Sequence, residues 1–93
     1  MDAKLVFARD FAARLKAWQI KVADLESRAD RVTEQNQIEF YRQLDLLDAK
    51  IALAERKLEL LQNSDNWDEI KASLDGISNE IENALDSAWA KLN

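Results

Sequence analysis

Few side chains in this chain could do chemistry, and carboxylates dominate them. Asp45 with Asp48, and Glu55 with Glu59, stand three or four residues apart. On a helix each pair would share a face. Two such carboxylates could bind a divalent cation weakly, or divide acid and base roles. The first possibility is weighed against a solvated acidic face, the ordinary meaning of this spacing. The second needs a concave pocket, which slim paired helices do not offer. Histidine and cysteine are absent. That removes zinc sites built on them, the usual haem ligands, Ser-His and Cys-His nucleophiles, and the Glu-x-x-His motif of di-iron bundles. The single glycine, Gly76, leaves no glycine-rich loop to cradle a phosphate. The expectation is a protein that is not an enzyme and carries no cofactor or metal.

Trp18, Trp67 and Trp89 are prominent in 93 residues. Tryptophans can anchor a partner, or they can pack a core. Here Trp18 and Trp89 fall on apolar seams and Trp67 follows a turn, so packing is the reading adopted.

The elements that must position these side chains are helical. Residues 2–61 contain neither glycine nor proline. Apolar residues recur at steps of three and four: Phe11, Leu15, Trp18, Val22, Leu25, Ala29 and Val32, then Phe40, Leu44, Leu47, Ile51, Ala54, Leu58 and Leu61. That is one face of a helix at coiled-coil period. Asp2 is placed to cap its start, and Asp10 with Arg14 and Asp24 with Arg28 form i,i+4 pairs. Between Val32 and Phe40 the phase shifts, and two steps of four through Asn36 restore it. Such a stutter unwinds a supercoil locally without ending the helix, and would bury Asn36 as a register-setting polar residue. The rival is a polar loop over residues 30–37. From residue 40 onward Leu46, Leu53 and Leu60 add a second row at spacing seven, as if this half touched two neighbours.

Gln62-Asn63-Ser64-Asp65-Asn66 is the clear turn, with Asn66 and Glu69 or Asp65 and Asp68 as candidate capping pairs. A second helix follows with the stripe Trp67, Ile70, Leu74, Ile77, Ile81, Leu85, Trp89 and Leu92. Gly76 inside it marks a kink or a close backbone approach. The expected architecture is all-α and a single domain over 1–93: helix 3–62, turn 63–66, helix 67–92.

Net charge is −5, unevenly spread. Residues 1–31 carry seven Lys/Arg against five Asp/Glu, whereas residues 63–93 carry two against seven. The acidic last third should repel nucleic acid and anionic membranes. The basic first third could instead lie beside it. Disulfides are impossible without cysteine, no apolar run is long enough to span a membrane, and the start lacks a secretory signal pattern. A cytoplasmic location follows as the expectation.

Length then poses the main question. A sixty-residue helix spans roughly 90 Å and one of 26 residues roughly 40 Å, so the second helix covers only half of the first. An apolar stripe over Phe11, Leu15, Trp18, Val22 and Leu25 would be left bare, which a soluble monomer does not tolerate well. Two straight hairpins could pair antiparallel about a two-fold axis near 32–36, forming a homodimeric helical bundle. The self-association candidates are then Phe11, Leu15, Trp18, Val22, Leu25 and Asn36. Alternatively the chain breaks near 30–37 and folds as a monomeric three-helix bundle. The dimer is the leading expectation.

Leu15-Lys16-x-Trp18, Leu25-Glu26-x-x-Ala29-Asp30, Tyr41 with Gln43-Leu44-x-x-Leu47-x-Ala49-Lys50, Lys57-Leu58-Glu59-x-Leu61, and Trp67 just after the turn with Lys71 following together resemble a family of small bacterial coiled-coil proteins of similar length. Some of its members are labelled as stress-response proteins. The resemblance implies a cytoplasmic, non-enzymatic structural or interaction protein whose molecular role is not established. It would act through self-association or an unidentified protein partner. The alternative is a peripheral membrane module that lays the first helix, residues 4–25, on a lipid surface.

Overall fold

The computed structural model of the chain describes residues 2–92. α1 (Ala3–Ser27) begins where Asp2 Oδ1 accepts the Lys4 backbone N–H at 3.0 Å, as a capping aspartate should. A short 3-10 turn, Ala29–Arg31, leads into α2 (Glu34–Gln62). A four-residue turn then leads to α3 (Trp67–Ala90). Among the described residues every regular element is helical. The described chain measures 49 × 18 × 16 Å. A helix of 29 residues is about 43 Å long, so these dimensions are those of three helices lying side by side.

The helix expected over 3–62 is therefore two helices, and the three-helix bundle with a break near 30–37 is the arrangement found. The break is small. α1 tightens through i→i−3 bonds, with Arg31 N–H to Arg28 O at 3.0 Å and Val32 N–H to Ala29 O at 3.1 Å. Val32 (φ −78°, ψ 133°) and Thr33 (φ −64°, ψ 154°) then turn extended. α2 restarts with Asn36 N–H donating to Thr33 O at 2.9 Å. Gln37 Nε2 donates to Val32 O at 3.3 Å and so occupies a carbonyl that the bend frees. The physical reason for the fold-back is burial. Bending brings the stripe of α1 onto the chain's own α2 and α3, and each large apolar side chain so covered contributes roughly 1.5–3 kcal/mol.

The core runs the length of the bundle. Phe11, Leu25, Phe40, Leu47, Leu61, Leu74 and Ile81 are its largest fully buried side chains. Phe11 stands edge-on to Trp18, ring centroids 5.7 Å apart, an arrangement that places a ring edge on a π face. α2 lies between the other two helices in sequence and packs on both, so its broad apolar face has two neighbours as expected. The seam and its flanks suffice for this, and Leu46, Leu53 and Leu60 remain exposed.

The second helix departs from expectation at three points. It ends at Ala90 rather than 92. The side chain of Asn66 caps nothing; Ser64 Oγ accepts the Asn66 N–H at 3.1 Å instead. Gly76 neither breaks the helix nor admits a close approach: α3 runs through it, its φ is not positive, and a Cβ there would meet nothing within 4 Å.

Candidate interaction surface

The self-association candidates of α1 are core residues of their own chain. Phe11, Leu15, Trp18, Val22 and Leu25 are all buried between α1 and its two neighbours. Asn36 is half-buried in the first turn of α2, beside the bend. These residues are brought together by the fold, but as its interior. A partner would reach them only by replacing one of the chain's own helices.

The carboxylate pairs stay on the surface. Asp45, Asp48, Glu55 and Glu59 are exposed, and Glu55 accepts Gln19 Nε2 at 2.7 Å across the α1–α2 contact. Among the described residues no three or more Asp/Glu side chains gather as a metal site would require. Lys50 Nζ meets Glu80 Oε2 at 2.7 Å and ties α2 to α3. Both members keep solvent contact, so the pair contributes at most about 1 kcal/mol.

Charge does align between α1 and α3. Arg14, Lys21 and Arg28 recur at spacing seven on α1, in one row with Phe7. Asp68, Asp75 and Glu82 recur likewise on α3, in one row with Trp89. The two helices run in the same direction: Lys71 Nζ sits 5.7 Å over the Phe7 ring at one end, and the Arg28 guanidinium 5.3 Å over Trp89 at the other. The basic first third thus lies beside the acidic last third. Among the described residues no α1–α3 ion pair closes to within 4.0 Å, so the two rows act as facing fields rather than as bonds.

At the Trp89 end this seam opens into a cleft of about 340 Å³. Leu25 and Leu85 form its floor, Trp89 a wall, and Lys21, Asp24 and Asp86 its rim. Asp24 Oδ1 accepts from Arg28 Nε at 3.1 Å, holding the guanidinium that covers Trp89. Nearly half of Trp89 is nevertheless exposed, at 47%. Its assignment to the core is thereby corrected, whereas Trp18 is buried and Trp67 half-buried at the turn, as expected. Serine, threonine and tyrosine are absent from the cleft lining. Its chemistry is that of contact: an aromatic face, two aliphatic side chains and charges of both signs.

α2 carries the other uncovered apolar surface. Leu46, Leu53 and Leu60 are 44%, 38% and 60% exposed, one heptad apart; Ile38 and Tyr41 are exposed nearer the bend but lie off that row. Ala49 and Ala52 beside the leucines are also exposed. By contrast the apolar face of residues 4–25, which a lipid surface would need, is turned inward through Phe11 and Trp18. Among the described residues no helix is long and apolar enough to cross a membrane. Comparison with family models, with curated proteins and with solved structures finds no match.

Proposed function

We propose that the protein is a non-enzymatic interaction module that presents apolar helix surface to a second copy of itself or to a protein partner. The observation that supports this is the Leu46, Leu53, Leu60 row. Leucines repeated every seven residues along one exposed helix are the seam onto which another helix packs. A folded chain gains nothing from leaving them in water, at roughly 25 cal/mol for each Å² of apolar surface. The family resemblance supports a cytoplasmic setting and a link to stress tolerance. Light scattering across a concentration series tests the reading. A mass rising with concentration above the 10.7 kDa of one chain, and rising less far in Leu53→Glu, is the expected result. A mass unaffected by Leu53→Glu would remove the row as the surface of association.

A further inference from the structure

α1 and α2 keep one helical phase across the bend that separates them. From Ala8 to Leu61 the inward-facing positions follow one another in steps of three or four without a miss. Asn36, half-buried, makes the step from Val32 to Phe40. At 3.6 residues per turn, the inward faces of the two helices would therefore coincide on a single straight helix. A loop that only reverses the chain has no need to keep that phase.

The bend itself is slight in backbone terms. Arg28 moves to the bridge region (φ −103°, ψ 7°), Ala29–Arg31 form the 3-10 turn, and Val32 and Thr33 swing to extended ψ. Glycine, proline and positive φ are all absent there, so every residue of the bend can adopt the α conformation. Thr33 makes no side-chain capping bond to fix the start of α2. Returning Arg28, Val32 and Thr33 to helical values, and relaxing the 3-10 turn between them, would restore the i→i−4 ladder through the bend. It would also detach α1 from its own α2 and α3.

We infer that the chain forms an exchanged dimer, in which α1 and α2 merge into one straight helix and α1 of each copy fills the place of α1 in the other. The two straight helices run antiparallel about an axis at the former bend, so each α1 meets a partner's α2 and α3 in the same register as in the bent chain. Every core contact of Phe11, Leu15, Trp18, Val22 and Leu25 is remade between copies, which is why such exchange costs little. The occupant is a second copy because only that chain carries an α1 matched to this groove. The exchange uses none of the Leu46, Leu53, Leu60 row, and it goes beyond the surface association proposed above.

Glu34→Pro separates the states. Proline at the first helical position is well tolerated, and it holds the preceding residue extended, as Thr33 already is. Inside a continuous helix the same proline removes a hydrogen bond and clashes with the preceding turn. The dimer fraction of the full chain is measured by light scattering at high concentration for wild type, Glu34→Pro and Leu53→Glu. In parallel, Gln19→Cys with Glu55→Cys, otherwise free of cysteine, is treated with a short bis-maleimide and run on a denaturing gel. These two positions touch across the α1–α2 contact. A dimer association constant that falls about ten-thousandfold in Glu34→Pro, since each dimer carries two such prolines, a dimer that persists in Leu53→Glu, and cross-links at twice 10.7 kDa are the expected result. A dimer lost in Leu53→Glu but kept in Glu34→Pro, with cross-links inside one chain, overturns the exchange and upholds the leucine row. A monomer at all concentrations overturns exchange and leaves the row to a different protein. Helical circular dichroism of Glu34→Pro equal to wild type excludes simple unfolding as the cause.

Discussion

The two turns of the bundle reverse the chain by different means. The turn between α2 and α3 is built from residues that favour leaving a helix: Asn63, Ser64, Asp65 and Asn66. Ser64 contributes its hydroxyl to the Asn66 N–H and its carbonyl to Lys4 Nζ at 3.1 Å, so the turn is tied both to itself and to α1. The turn between α1 and α2 has no such chemistry. Its residues are helix-compatible, the side chain of its N-cap threonine makes no capping bond, and the helical phase passes through it unbroken. One turn is written locally, whereas the other is imposed by the burial that follows from bending.

The largest expected effects probe the packing that flanks both turns. Phe40 lies just inside α2 from the first turn and Leu61 just before the second, and neither has any exposed surface. Phe40→Ala should cost about 3–5 kcal/mol and Leu61→Ala about 2–5 kcal/mol in urea denaturation. If the first turn is held by burial, Phe40→Ala should also raise the hydrogen-exchange rates of residues 32–36. Exchange there equal to wild type would mean that the bend has a local cause not visible in its hydrogen bonds.

Gly76 supplies the contrast between a turn and a helix interior. Gly76→Ala should stabilise the protein by about 1 kcal/mol, since the site is exposed, helical and open. A loss of stability on thermal unfolding would show that α3 does need a flexible point there. The smallest effects separate the turns most finely. Ser64→Ala should cost up to about 1 kcal/mol through its hydrogen bond, while Thr33→Ala should change stability by only a few tenths, well below the loss of a working cap. Equal costs at the two sites would erase the distinction between them.

Much of this was legible before any coordinates. All-α character followed from period, and the second turn at 63–66 followed from its cap residues; α3 begins at Trp67 as expected. The break near 30–37 was legible only as an alternative, because no breaker marks it and steps of four through Asn36 carry the stripe across. Sequence alone weighs local conformation, and the bend is decided by contacts tens of residues apart. The exposed Trp89 was missed for a related reason. After Ile81 the positions three, four and seven residues on are Ala84, Leu85 and Ala88, and all are buried. Small side chains read weakly as core, although they are what lets helices approach closely. The large Trp89, next to Ala88 in the chain, was given the seam instead. Its row with Asp68, Asp75 and Glu82 was the available signal that it stands at the edge of the stripe.

The central claim is that residues 3–62 bend back on themselves in the single chain. A doubly labelled chain, with spin labels at Asp10→Cys and Glu59→Cys, measures this directly by pulsed electron spin resonance at a dilution where light scattering gives the mass of one chain. Both positions are exposed, and Lys4 reaches Ser64 at that end of the bundle. The bent chain predicts a short distance set by neighbouring helices about 10 Å apart. A distance of about 74 Å, the rise of a straight helix between these positions, would contradict it in favour of the extended form.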